Sequence, residues 1–432
     1  RMKVLPSSTF NLLFVLAAQF RPWLSYAATF ITHENESICV SNATQIAWPC
    51  SKEIVSIKPI TSGRHHEDAV KIANCACDVH SREDVEMECN KYLLDNLMVY
   101  DQLNIGSLGF GPLPSNAVEE RSVTSKTYGN KVDNIYRNSM NFARNARGHS
   151  VVHDGKALSE IGRDFNEINP DIDIEEVPTE LPDGLSDGIV STSIQIVLDV
   201  KYMYPWTSHI PKNVFFEYVL PFALINEGRS NWRPLFHDAL SPLMKELIKL
   251  NSDEIRWNDS ASIDKVYKVV NEKVWSMFGK NIYFKSSQTP LIYDPMSIIA
   301  FGYASCTGLS IFLVNALRSV GVPARLAGTP AWNGSAENGN HSWIEVYVNN
   351  EWRFTESFPA ANGVISIADD SYDPCNFWFC NSFKFDGQTR VYATRLDASA
   401  DDTFPLAWDA NDTGVPGVDR TDFMTLTCSA CA

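Results

Sequence analysis

A thiol, an imidazole and a carboxylate fall within residues 306–356 as Cys306, His341 and Glu356. Together they can do acyl-transfer chemistry. A thiol with a pKa near about 8.5 is only a few per cent ionised at neutral pH, so a neighbouring imidazole must take its proton. A third polar group then fixes the imidazole tautomer through the other ring nitrogen. Such a set attacks a carbonyl carbon and holds the acyl group as a thioester.

The elements around these residues give them reasons to meet. Cys306 opens a helix whose apolar face is Leu309, Phe312, Leu313, Ala316, Leu317 and Val320, and Gly321 ends it. The first turn of a helix has unpaired N–H groups and a dipole that favour a thiolate. Gly308 leaves room there for another chain segment to approach closely. Three strands are predicted next, over 323–330, 342–348 and 352–355, with Asn349-Asn350 as a tight turn between the last two. That hairpin brings His341, at the start of one strand, beside Glu356, at the end of its partner.

Upstream, a buried helix is predicted through Ile194, Ile196, Val197, Val200 and Tyr204, ending near Pro205. An amphipathic helix follows over 232–250, with Leu235, Phe236, Ala239, Leu243, Leu247 and Ile248 as its apolar face, and another over 263–278. Helices followed by antiparallel strands make an α+β layout. The spacing of Leu93, Leu94, Leu97 and Met98 predicts a further helix over 91–103. Residues 359–432 read as loop-rich with one strand, 390–395.

Composition narrows the setting. A net charge of −16 with no basic stripe disfavours nucleic acid as a partner. The N-terminus has Arg1, Met2 and Lys3, an apolar run from Phe10 to Phe20, and Ala27-Ala28, the pattern of a secretory signal; Arg1 reads as a residue upstream of the start. The run is too short to span a bilayer, and no later stretch is long enough, so no stable membrane insertion is expected. Ten cysteines and sequons at Asn35, Asn42, Asn258, Asn333, Asn340 and Asn411 fit a secreted or secretory-lumen glycoprotein with disulfides. Setting Cys306 aside leaves nine, so at least one more thiol is free or pairs between molecules. Cys375/Cys380 and Cys428/Cys431 read as small-loop pairs.

Competing readings exist for the same residues. A lone cysteine in a secreted chain is more often half of a disulfide, or an inert buried thiol, than a nucleophile. Cys75, Cys77, His80 and Cys89, with His65-His66, could hold a metal, but the spacing is loose and oxidation favours disulfides; neither metal nor cofactor is expected. Residues 154–187 carry eleven acidic and two basic residues with Pro170, Pro178 and Pro182, and read as an exposed connector.

A family resemblance rests on several motifs in order. They are Cys306-Thr307-Gly308-Leu309-Ser310, Arg318-Ser319-Val320-Gly321-Val322-Pro323-Ala324-Arg325, Trp332, His341-Ser342-Trp343-Ile344-Glu345-Val346 and Trp352. Together they resemble the transglutaminase-like core. Tyr204-Pro205-Trp206, Phe216 to Pro221, Asn226 to Arg229 and Trp232-Arg233 are similar to the helical lead-in of its microbial and protist members, so the likeness spans roughly 190–360. It implies a papain-like core with helical lead-in, nucleophile helix and antiparallel sheet. It further implies Cys306 as nucleophile, His341 as general base and acid, Glu356 as orienting acid, and Trp332 as an oxyanion donor beside the Cys306 N–H. A peptide or protein amide is the implied substrate.

The departures from the family matter too. Relatives often have Asp as the third member, with Asp369, Asp370 and Asp373 as less well placed alternatives here. Thr307 replaces a Trp of crosslinking animal enzymes, which weakens a crosslinking assignment, and nothing resembles their calcium sites. The partition expected is a signal over 1–28, a Cys-containing segment over 29–105, the connector over 106–188, a catalytic domain over 189–360 and an extension over 361–432. The rival function is a transglutaminase-like domain that no longer catalyses and serves as a secreted binding module. Oligomeric state is not legible.

Overall fold

The computed structural model describes residues 31–33, 36–38, 41–49, 77–102, 108, 188–229, 231–250, 262–278, 281–286, 289, 292–357, 359, 373–385 and 387–431. The signal, Cys39, Cys50, Cys75, His65, His66, Asn35, Asn258, Asp369, Asp370 and nearly all of the connector lie outside them. Short strands come first: β1 (Ile31–His33), β2 (Glu36–Ile38), β3 (Gln45–Trp48) and β4 (Asp78–Ser81). Helices follow: α1 (Arg82–Asp95), α2 (Ile189–Met203), α3 (Lys212–Tyr218), α4 (Trp232–Leu250) and α5 (Ser262–Lys273). Next come β5 (Tyr283–Phe284), α6 (Pro295–Phe301), β6 (Tyr303–Ala304), α7 (Cys306–Ser319), β7 (Ala324–Thr329), β8 (His341–Val348) and β9 (Glu351–Thr355). The chain finishes with β10 (Tyr392–Thr394), β11 (Asp402–Thr403), β12 (Pro416–Asp419) and α8 (Thr421–Cys428). None of the described helices is long and apolar enough to cross a membrane.

Helix α7 is the centre of the molecule. Every residue from Thr307 to Ser319 is buried, which an amphipathic surface helix never achieves. It lies between the sheet strands β7 and β8 on one side and α2, α4 and α5 on the other. Gly308 allows this: a Cβ there would meet the Ile292 carbonyl oxygen and Ala304 Cβ, each at 2.7 Å. Gly321 ends the helix in the left-handed region, φ +80°, where a Cβ would also strike Val200 and Thr207.

A buried helix end must satisfy its last carbonyls. Three residues of the lead-in do so. Arg233 Nη1 donates to Arg318 O at 3.1 Å, Trp206 Nε1 donates to Val320 O at 2.9 Å, and His237 Nδ1 lies 3.2 Å from Ser319 O. Arg233 Nη2 also donates to the carbonyls of Val219, Leu220 and Pro221. This corrects the predicted face of α4. Arg233, Phe236, Leu240, Met244 and Leu247 are buried, while Leu235, Ala239 and Leu243 are half-buried, because the buried face includes an arginine that apolar spacing does not register.

Six strands form an antiparallel sheet in the order β11-β12-β10-β7-β8-β9. Ile344, Val346 and Val348 face the α7 core, whereas Trp343 joins a second cluster with Phe354, Phe377, Phe379, Phe385 and Met424. Strand β8 is buried on both faces almost throughout, its polar residues His341, Ser342 and Glu345 included. In 359–432 the strand expected over 390–395 is present as β10 (Tyr392–Thr394), which pairs with β7; β11 and β12 extend the sheet beyond it, and α8 packs behind it. The two strands not expected, β11 and β12, are two and four residues long, too short for alternation to reveal them.

The helix predicted over 91–103 instead runs from Arg82 to Asp95. Ser81 caps its start by accepting from the Asp84 N–H, and Leu97 and Met98 are buried in the turns beyond it. The following turn is anchored by a bidentate pair, Arg229 Nε to Asp101 Oδ1 at 2.6 Å and Nη2 to Oδ2 at 3.1 Å, which ties the Cys-containing segment to the lead-in.

The cysteines correct the small-loop reading. Cys375 bonds to Cys431 and Cys380 to Cys428, so the bridges join the 373–385 segment to α8 and its end. Cys89 is a free, fully buried thiol on α1 and accounts for an odd one. Cys77 is disulfide-bonded and so is unavailable as a metal ligand.

Candidate active site

The Asn349-Asn350 turn has φ of 53° and 61° at its two residues, the left-handed pair that suits a two-residue hairpin. It sets β8 against β9 with Val348 opposite Glu351 and Ile344 opposite Thr355. At the open end of that hairpin His341 Nε2 lies 2.6 Å from Glu356 Oε1. The second imidazole nitrogen is thereby left for the Cys306 thiol, which is hydrogen-bonded to His341.

Two hydroxyls hold the start of α7 to the start of β8. Thr307 Oγ1 is 3.2 Å from Ser342 Oγ, and Ser310 Oγ donates to Ser342 O at 3.3 Å. Gly328, opposite Ser342 in β7, permits the close strand approach: a Cβ would stand 2.6 Å from His341 O. The Cys306, His341 and Glu356 side chains are thus set by three separate elements, α7, β8 and the end of β9.

Electrostatics favour an ion pair. Burial opposes ionisation of Cys306, yet the hydrogen bond and charge of His341, with backbone hydrogen bonds from Ser342 and Thr307, outweigh it and hold the thiol below its usual value. Burial likewise opposes protonation of His341, but the hydrogen bonds and charges of Cys306 and Glu356 prevail and push it up to about 9. Both shifts run in the direction that favours a thiolate paired with an imidazolium.

Glu356 is itself supported. Asn271 Nδ2, on α5, donates to Glu356 O at 2.9 Å and to Tyr267 Oη at 3.2 Å. Tyr267 bonds to Thr355 Oγ1, and Trp275 Nε1 donates to Asn271 O. Asp373, the fallback acid within the described residues, is spent as a cap, accepting from the Cys375 N–H at 3.0 Å. Trp332 sits in a turn beside His341, ring centroids 6.4 Å apart, and packs against Phe379 and Phe385. The sequence did not mark Asn271, which donates to the Glu356 carbonyl, or Trp378, whose indole also reaches Glu356 (Nε1 to Oε1, 3.2 Å). Only contact with the acid identifies them, and no spacing rule encodes that.

Residues 252–356 match the model of the transglutaminase-like superfamily, so this stretch is a domain of that kind. The match begins after α4 and stops at Glu356, leaving the helical lead-in and the disulfide-bonded segment outside it. No curated protein matches the chain. Among solved structures, "a Putative Cysteine Protease from Cytophaga hutchinsonii" is similar at 14% identity over 44% of this chain and 57% of that one, with a TM-score of 0.20. The chain thus spans little more than half of that protein, and a likeness so slight carries no argument about chemistry.

Proposed function

We propose that the chain is a cysteine-nucleophile enzyme that transfers the acyl group of a peptide or protein amide through a thioester, with Cys306, His341 and Glu356 as its triad. The observation that carries this reading is the 2.6 Å contact of His341 Nε2 with Glu356 Oε1, made while the same imidazole holds the Cys306 thiol. Cys306 Sγ attacks the amide carbon. The developing oxyanion is met by the Cys306 N–H, which has no acceptor within its helix, and by the Trp332 indole N–H. His341 gives its proton to the departing amine, leaving a thioester. It then takes a proton from water or from an acceptor amine, whose attack releases acid or new amide and restores the thiol. Glu356 keeps the imidazole oriented and stabilises its cationic form.

A secreted setting is supported by the Cys375–Cys431 and Cys380–Cys428 bridges, since disulfides persist in oxidising compartments. The test uses wild type and Cys306→Ala with a peptide library and a tagged amine, scoring cleavage, deamidation and amine incorporation separately. Activity in at least one channel that Cys306→Ala abolishes is expected. Equal behaviour of the two proteins in all three channels sinks the proposal.

A further inference from the structure

The wall over the triad comes from outside the matched domain. Trp378 follows Cys375 by three residues and precedes Cys380 by two, and both cysteines are bridged to the C-terminal helix region. Its indole N–H donates to Glu356 Oε1 at 3.2 Å, the oxygen that also takes His341 Nε2. Its ring meets the imidazole edge-on, centroids 4.9 Å apart, and Phe379 completes the wall with its centroid 5.1 Å from the imidazole. The outer side of Trp378 is open to solvent, the residue being 56% exposed. Lys384 Nζ lies 4.6 Å from the Trp332 ring and 5.2 Å from the Trp378 ring, a cation held over both indoles. Asn381 Nδ2 donates to Trp378 O at 3.0 Å.

A large apolar ring left half in water is poorly placed for stability. Its inner side, however, stands between solvent and the His341–Glu356 bond. Water reaching that bond would compete for the carboxylate and raise the local dielectric, weakening the attraction that keeps the imidazole charged.

We propose that Trp378 is a positioning residue, stapled over the His341–Glu356 bond by the two C-terminal disulfides, where it fixes the carboxylate and keeps water from it. The inference rests on the function proposed above. Trp378 acts through Glu356 and touches no reacting atom. The charged and titratable groups around it are Cys306, His341 and Glu356 on the inner side and Lys384 on the outer.

The experiment follows alkylation of Cys306 by iodoacetamide against pH in the full chain, read on the Cys306 peptide by mass spectrometry. Trp378→Ala should move the labelling midpoint up by about one pH unit, roughly a tenfold loss of thiolate on the acid limb. Trp378→Phe, which keeps the ring, should recover at least half of that shift. In a Glu356→Ala background Trp378→Ala should add nothing, because the bond it protects is gone. Cys380→Ser with Cys428→Ser should reproduce Trp378→Ala. Should that double variant fail to fold, Trp378→Ala still decides, since it leaves both bridges intact. The proposal is overturned if Trp378→Ala titrates with wild type, or if its shift persists without Glu356. A wild-type midpoint near that of an ordinary thiol overturns the proposed function and this inference together. A low wild-type midpoint unmoved by Trp378→Ala sinks the inference alone.

Discussion

His341 and Glu356 are fifteen positions apart in sequence, yet their side chains meet at 2.6 Å, because a two-asparagine turn folds β9 back along β8. The contact orients the imidazole, and Asn271 then holds the backbone of the acid from below.

Glu356→Gln retains the shape of the acid but removes its charge. Turnover should fall about 10²-fold or more, the range typical of general acid–base contributions. Glu356→Asp shortens the reach by one methylene and should fall between the two. Steady-state kinetics on whichever amide substrate the library yields, with circular dichroism to show an intact fold, is the check. Turnover of Glu356→Gln within twofold of wild type would remove Glu356 from the triad.

The pH dependence has two limbs with different meanings. Cys306 is held below its usual value, so alkylation should stay fast at pH values where an ordinary thiol has lost reactivity and fade only as pH drops through that lowered value. His341 is pushed up to about 9, so the imidazolium persists until pH rises through that value. Above it the thiolate remains, and alkylation should not fall. Acyl transfer should fall there, because the proton for the leaving amine is lost. Parallel profiles of alkylation and turnover separate the two limbs, and an alkylation midpoint near 8.5 contradicts the ion pair.

The helix that Cys306 opens, the hairpin and the helices of the lead-in were legible because each is local. An apolar stripe, a paired-asparagine turn and a glycine after a helix act within a dozen residues. What the sequence concealed is what tertiary contact decides. Arg233 lies on the buried face of α4 because four carbonyls of other segments need its donors. Strands β11 and β12 are too short for a period, and they join the sheet only through β10, which pairs with β7. The bridge pattern crosses between two cysteine pairs that each look like a small loop. Trp378 reads as one more aromatic until the fold lays it on Glu356.

Glu345 shows how the sheet is locked to that C-terminal part. Its carboxylate is fully buried, taking Arg325 Nε at 2.8 Å and Nη2 at 2.6 Å on Oε2, and Arg420 Nε at 3.0 Å on Oε1. Glu345→Ala strands two cations, one of them buried, and should cost about 3–5 kcal/mol. Chemical denaturation of wild type and variant measures it. A loss under about 1 kcal/mol would mean that water or another acid replaces the carboxylate.

Asn340 stands at the mouth of the site. It is exposed and part of the sequon Asn340-His341-Ser342, so nothing in its own accessibility prevents modification. Its neighbour in the chain is the imidazole of the proposed triad. A glycan there would crowd His341 and obstruct an incoming substrate, so active protein should carry Asn340 bare. Asn333 should be bare as well: its Nδ2 donates to Phe383 O at 3.3 Å, and a glycan on that nitrogen would push the 373–385 segment away from Glu356. Asn411, exposed in the 409–412 turn region, meets neither obstacle and is the site among the three where a glycan costs nothing. Intact glycopeptide mass spectrometry on protein purified from a eukaryotic secretory host, sorted by reactivity of Cys306, checks all three. A glycan on Asn340 in the fraction that transfers acyl groups would falsify the assignment of His341 as base.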